Sequence, residues 1–140
     1  MARIKLMLPE KINFSTFIDV RITDINYGGH LGNDSVLGII HEARIRLLAD
    51  KGFSEIDIGG VGIIMADTVI VYSSEGLYGD KLRIDVAVDG ITNTGFDIYY
   101  RLINNENEKE IIKAKTGIVF YNYITKKVVR TPKIFLDTFK

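Results

Sequence analysis

The sequence predicts one α+β domain, in which an antiparallel sheet of about five strands wraps around one long helix. Three observations lead to this prediction. Residues 14–22 alternate between apolar and polar side chains, which is typical of a half-buried strand. Residues 34–51 are apolar enough for a long buried helix, and four more strand candidates follow it. A sheet packed on one helix buries the apolar sides of all these elements.

The first strand and the loop after it are distinct in composition. Phe14, Ile18 and Ile22 share one parity of the strand, whereas Asp19 and Arg21 share the other. Residues 24–34 then contain three glycines among Asn and Asp residues. Such a composition predicts a tight loop and no regular element.

The helix is expected to run from about Asp34 to Lys51. Asn33 or Asp34 can cap its first turn, and Gly52 stands where a helix commonly stops. Its apolar residues cover more than one face, which predicts a helix enclosed on several sides. These residues are Val36, Leu37, Ile39, Ile40, Ala43, Ile45, Leu47 and Leu48.

The second half of the chain predicts a meander. The strand candidates are residues 63–72, 81–88, 96–103 and 111–121. Turn signals at residues 89–90, 93–95 and 104–107 separate the last three, which indicates antiparallel hairpins. Thr131 and Pro132 are expected to be the cap and first residue of a short terminal helix.

Composition excludes several classes of function. The chain has 140 residues, which fits one domain, and its 18 Lys and Arg balance 18 Asp and Glu. No basic field attracts nucleic acid or a membrane surface. The absence of cysteine excludes a thiol nucleophile, thiolate metal sites and disulfides. The N-terminus lacks the apolar segment of a signal peptide, and no apolar run reaches the ~20 residues of a membrane helix, so a cytoplasmic location is expected.

The loop and the helix carry a recognisable pattern. Residues 21–33 read Arg-Ile-Thr-Asp-Ile-Asn-Tyr-Gly-Gly-His-Leu-Gly-Asn. They resemble the signature Asp-x-Asp-x-x-Gly-His-Val-x-Asn of hot-dog-fold acyl-CoA thioesterases, in the 4-hydroxybenzoyl-CoA thioesterase-like branch. Asp24, Gly29, His30 and Asn33 match the pattern, and residues 42–44 match the Glu-Ala-Arg of the helix in that family.

The resemblance implies a hot-dog fold and hydrolysis of an acyl-CoA or acyl-carrier thioester without a cofactor. It also implies a homodimer or homotetramer with the active site at the subunit interface. The expected catalytic residues are Asn26, His30, Asn33 and Glu42. The expected substrate-binding residues are Asp24, Tyr27, Gly28 and Gly29.

Two positions depart from the pattern. Asn26 stands where the family has its second Asp, and Val36 stands where an aromatic residue is common. An amide cannot accept a proton at neutral pH, so Asn26 is not the base. It can still orient a water molecule or hydrogen-bond the thioester carbonyl.

The residue types suggest which groups stabilise the oxyanion and which act as the base. Free backbone N–H groups near Asn33, at the helix start, can stabilise an oxyanion. His30 is either the base or a residue that orients the loop, and Asp24 either faces the substrate or braces the loop. Glu42 is either the base or one half of an ion pair, with Arg46 four residues later or with Arg44.

Other sites and functions fit less well. Two histidines, His30 and His41, lack the spacing of zinc ligands, and the glycines at 28, 29 and 32 lack the Lys of a phosphate-binding loop. No metal site is therefore expected. Two alternatives to a thioesterase stay open. One is a β-hydroxyacyl-thioester dehydratase or hydratase that pairs His30 with Glu42, and the other is a non-catalytic acyl-thioester-binding module.

Overall fold

The computed structural model describes residues 3–140, so Met1 and Ala2 of the N-terminal segment considered above lie outside the described residues. The strands are β1 (Phe14–Asp19), β2 (Gly62–Tyr72), β3 (Lys81–Asp89), β4 (Gly95–Asn104), β5 (Glu110–Asn122) and β6 (Lys127–Val128). The helices are α1 (Asn33–Asp50) and α2 (Lys133–Phe139), and a 3₁₀ turn spans Ile22–Asp24. Over residues 3–140, no helix is long and apolar enough to cross a membrane.

The strands form one antiparallel sheet in the order β1-β3-β4-β5-β2, with β6 added to part of β5. The predicted meander is confirmed, because β3, β4 and β5 are paired in sequence order. β1 and β2 lie at opposite edges, since β1 pairs with β3 and β2 pairs with β5. The chain therefore crosses the whole sheet between its first two strands, and α1 lies in that crossing. The α+β prediction is confirmed.

Helix α1 packs against one face of the sheet. Its residues Val36, Ile40, Ala43 and Leu47 are buried in the same core as the strand residues Ile84, Ile98 and Phe120, among others. The prediction of a helix enclosed on several sides is wrong for this chain. Leu37 is 50% exposed and Ile45 is 39% exposed, because the sheet covers only one side of the helix.

The two ends of α1 differ from each other. At the C-terminus, the N–H of Gly52 bonds to Ala49 and the N–H of Phe53 bonds to Leu48, and Gly52 has a φ of 79°. These bonds form a Schellman motif, which places the end of the helix at Gly52 as expected from the sequence. At the N-terminus the prediction of an Asn33 or Asp34 cap is wrong. Gly32 is the capping residue, in extended conformation, and no side chain bonds to the first turn.

Other element boundaries also need correction. β1 ends at Asp19 and not at Ile22, because Arg21 and Asp24 bond to each other and wind residues 22–24 into the 3₁₀ turn. Pro132, and not Thr131, is the capping residue of α2. The hydroxyl of Thr131 donates to the carbonyl of Thr92 instead. The short strand β6 was not predicted.

We expect Gly38→Ala to stabilise the protein by about 0.5–1 kcal/mol, because Gly38 is inside α1 and a Cβ there meets nothing within 4 Å. Gly52→Ala is the matched control. Its Cβ is equally free, but a φ of +79° costs a non-glycine residue about 1–2 kcal/mol. Urea unfolding of both variants measures the difference. Equal effects of the two substitutions would contradict this account.

Candidate active site

The loop between β1 and α1 is folded around the side chain of Asn26. Its Oδ1 accepts the N–H groups of Gly28, at 2.9 Å, and His30, at 3.3 Å. The backbone N–H of Asn26 donates to the carbonyl of His30 at 2.9 Å, and Gly29 turns the chain with a φ of 82°. The oxygen of Asn26 is thus committed to the loop, and only its NH₂ group can reach a ligand.

Asp24 braces the start of the same loop. Its carboxylate is buried and accepts the backbone N–H of Arg21 at 2.9 Å and the Arg21 guanidinium at 3.2 Å. Its carbonyl accepts the N–H of Gly32 at 2.9 Å. Of the two roles considered for Asp24, these contacts match the brace. Its carboxylate is turned toward Arg21.

A cavity of about 650 Å³ opens beside this loop. Its walls are the loop, the start of α1, the connection that follows β2 and the first residues of β5. Polar and apolar groups both contribute to the lining. The lining residues are Asn26, His30, Leu31, Asn33, Tyr72, Ser73, Ser74, Glu75, Gly76, Ile111 and Ile112.

The start of α1 has unused N–H groups, and its first residue lines this cavity. The N–H groups of Ser35 and Val36 both bond to the carbonyl of Gly32. Those of Asn33 and Asp34 have no acceptor within residues 3–140. The missing side-chain cap therefore leaves two donors free at the positive end of the helix dipole. Asn33 itself lines the cavity.

A carboxylate that was not predicted lies against the loop and lines the same cavity. The Nε2 of His30 lies 3.1 Å from the Oε2 of Glu75. Glu75 lies in the connection between β2 and β3, 45 positions after His30, and no motif includes it. The bonds of Ser73 and Ser74 to β5 and of Gly76 to Leu31 bring it to the loop, so no local sequence signal identifies it.

The structure brings together Asn26, His30 and Asn33 but not Glu42. Glu42 lies in a second cavity, of about 510 Å³, between β1 and α1. Its carboxylate accepts a hydrogen bond from the Nε of Arg46 at 2.9 Å, which confirms the ion pair considered for it.

The residues expected to bind substrate are also spread out. Tyr27 is fully exposed. Gly28 and Gly29 shape the loop, but they do not line the cavity described above. Within residues 3–140, no group of three His, Asp or Glu side chains is placed to hold a metal ion.

A buried polar network lies between α1 and the sheet. The Arg44 guanidinium donates to Glu55 Oε2 at 2.8 Å and to the Tyr100 hydroxyl at 3.2 Å. Tyr100 bonds in turn with Thr116 at 2.8 Å, and His41 lies 2.9 Å from Glu55 Oε1. Burial raises the pKa of Tyr100. Burial also acts to raise the pKa of Glu55, but the hydrogen bonds from Arg44 and His41 outweigh it and lower that pKa.

Comparison with known proteins gives a family match. The model of the thioesterase-like superfamily matches residues 20–139. No curated protein matches the sequence significantly.

Solved structures are similar in fold at low identity. A 1,4-dihydroxy-2-naphthoyl-CoA thioesterase from Synechocystis has a TM-score of 0.81 at 19% identity, over 90% of this chain and 94% of that one. A probable thioesterase from Escherichia coli has a TM-score of 0.79 at 17% identity, over 90% and 98%. A gentisyl-coenzyme A thioesterase has a TM-score of 0.79 at 15% identity, over 91% and 100%. The predicted hot-dog fold is confirmed.

Proposed function

Because this chain belongs to the thioesterase-like superfamily, we propose that it hydrolyses an acyl-CoA thioester to the free acid and CoA. The observation that carries the proposal is the pair of free N–H groups of Asn33 and Asp34 at the start of α1, where Asn33 lines a cavity of about 650 Å³. Thioester hydrolysis passes through a tetrahedral oxyanion, and backbone N–H donors are the groups that stabilise it.

The cavity supports a division of roles within the substrate. The thioester carbonyl oxygen accepts hydrogen bonds from the N–H groups of Asn33 and Asp34, which strengthen as negative charge develops on it. The NH₂ group of Asn26 is the next donor along the wall. The acyl group lies against the apolar part of the wall, at Leu31, Ile111 and Ile112.

The test is an assay of released thiol with a panel of aliphatic and aromatic acyl-CoAs. Aromatic acyl-CoAs belong in the panel because two structures of similar fold carry the names of aromatic acyl-CoA thioesterases. Release of free CoA from at least one member is expected. Hydration of an enoyl-CoA without thiol release would favour a hydratase instead. Tight binding of acyl-CoA with no turnover would favour a binding module.

We also propose that the working form contains a second copy of the chain, as in the resembling enzymes. β2 is an edge strand with exposed residues from Met65 to Thr68, and an open edge can pair with another strand. The half-exposed Leu37 and Ile45 on α1 are apolar residues that the sheet of this chain does not cover. A partner chain that covers both surfaces explains their exposure in one chain.

We expect Leu37→Asp to convert the oligomer to a monomer, because the substitution puts a charge into the surface of α1 that the partner chain is proposed to cover. Ile124→Asp is the control, since Ile124 is 92% exposed in the turn after β5 and far from α1 along the chain. Light scattering after size exclusion gives the mass of each variant. A wild-type chain that is monomeric at micromolar concentration would contradict the proposal.

A further inference from the structure

We propose that Glu75 is the general base of this hydrolysis and supplies the carboxylate that the loop lacks at Asn26. The inference rests on the proposed function, since it assigns a role within the same site. The loop has a histidine and an amide but no carboxylate that faces the cavity, because Asp24 is turned toward Arg21. Glu75 lines the same cavity and comes from the connection between β2 and β3.

The geometry leaves one oxygen of Glu75 free to act. Its Oε2 lies 3.1 Å from the Nε2 of His30. The Oε1 of Glu75 has no partner within residues 3–140, and the side chain is 68% exposed. A water molecule can therefore bond to Oε1 while the other oxygen lies against His30.

The backbone on both sides of Glu75 is fixed to the rest of the site. The N–H groups of Ser73 and Ser74 both bond to the carbonyl of Ile111, on β5. On the other side, the carbonyl of Gly76 accepts the N–H of Leu31, from the loop, at 2.8 Å. The position of Glu75 is thus set by the sheet and by the loop that carries His30. A base held in this way loses little entropy when the substrate binds.

Side-chain contacts also stabilise the segment that carries Glu75. The Ser73 hydroxyl donates to Glu110 Oε2 at 2.8 Å, and Arg101 holds Glu110 Oε1 at 2.9 Å. Gly76 packs so closely that a Cβ there would lie 3.1 Å from the Cβ of Leu31. An exposed loop glutamate that serves only solubility does not need such contacts around it. They fit a residue that must keep a defined position.

The chemical step balances with water as the only co-reactant. Glu75 Oε1 removes a proton from the water as its oxygen forms a bond to the thioester carbon. The π electron pair of the thioester C=O bond moves to the carbonyl oxygen. The N–H groups of Asn33 and Asp34 bind the oxyanion that results. The intermediate then re-forms the carbonyl and breaks the C–S bond. The leaving thiolate takes the proton from Glu75, which restores the carboxylate.

The first test uses Glu75→Gln in the full chain, with steady-state kinetics on the best acyl-CoA of the panel. We expect kcat to fall at least about 100-fold with KM nearly unchanged, since the amide cannot accept a proton. Glu10→Gln is the control, because Glu10 is an exposed glutamate in the N-terminal segment. It should retain wild-type kinetics.

The second test separates the base from a structural role. Glu75→Ala is expected to be inactive and to recover activity when formate is added, because the small carboxylate can occupy the vacated place. A structural residue would not respond to formate. For His30, which lies 3.1 Å from Glu75, His30→Gln should retain more of kcat than His30→Leu, since glutamine keeps a polar group beside the carboxylate.

The outcomes distinguish this inference from the proposed function. Full kcat in Glu75→Gln, with an active wild-type enzyme, overturns the role of Glu75 and leaves the thioesterase in place. Loss of kcat in Glu42→Gln but not in Glu75→Gln assigns the base to the helix and also overturns it. A wild-type chain that releases no thiol from any acyl-CoA overturns the function and the inference together.

Discussion

The Asn33→Pro variant is expected to keep its fold and to lose about 100- to 1000-fold in kcat, the usual cost of one oxyanion donor. Asn33 is the first residue of α1, a position where proline is accepted because its missing N–H has no partner in the helix. Gly32, the residue before it, has the extended conformation that proline requires of its neighbour, with φ −74° and ψ 146°. The substitution thus removes the proposed donor while the helix stays intact.

Asn33→Ala is the matched control, since it removes the side-chain amide and keeps the N–H. We expect it to retain most of kcat, and circular dichroism should show equal helix content in both variants. If the alanine variant loses as much activity as the proline variant, the side chain of Asn33 acts and the backbone N–H does not. An active proline variant would remove Asn33 from the oxyanion site altogether.

Most of the fold could be predicted because local patterns report it. Two-residue alternation in a strand results from one buried face and one more exposed face, and residues 81–86 of β3 have that alternation in the structure. Gly52 also signalled the end of α1, because a positive φ favours glycine. The end of β1 was missed since the contact between Arg21 and Asp24, and not an apolar pattern, determines it.

In the candidate site, too, the residues of a local motif could be predicted and those brought in by the tertiary structure could not. His30 and Asn33 belong to one loop, and a short motif could place them together. Glu75 comes to that loop through the pairing of β2 with β5 and the bond between Gly76 and Leu31, which no spacing in the sequence encodes. The helix start shows a further limit. Asn33 and Asp34 are good capping residues by type, but the turn at Gly32 leaves both inside the helix and their N–H groups free.

The second large effect is expected in the polar network under α1, where Arg44→Met should destabilise the protein by about 3 kcal/mol. The side chain of Arg44 is only 7% exposed, and every buried side-chain nitrogen or oxygen within residues 3–140 has a hydrogen-bond partner. Removal of one partner of a buried pair leaves the other charge poorly compensated, which typically costs about 3–5 kcal/mol. Glu55 is 25% exposed and can regain some water, so the lower end is expected.

Arg46→Met, on the same helix, is the matched control. Arg46 also donates to the Thr16 hydroxyl and the Phe17 carbonyl. Because Arg46 is 40% exposed and Glu42 is 53% exposed, water can replace these bonds, and the loss should stay well below that of Arg44→Met. Urea unfolding at pH 7 compares the two variants. Equal losses would mean that burial of Arg44 does not decide its contribution.

The loss of stability caused by Arg44→Met should become smaller at acidic pH, because Glu55 becomes protonated. The native contacts lower the pKa of Glu55 below its ordinary value of 4.5, so its contribution is present above that value and is lost as pH falls through the native pKa. The destabilisation by Arg44→Met should therefore be larger at pH 7 than near pH 3. The double variant with Glu55→Gln should lose less stability than the sum of the single losses, because the two residues act as a pair. Additive losses would show that Arg44 stabilises the core through its packing alone.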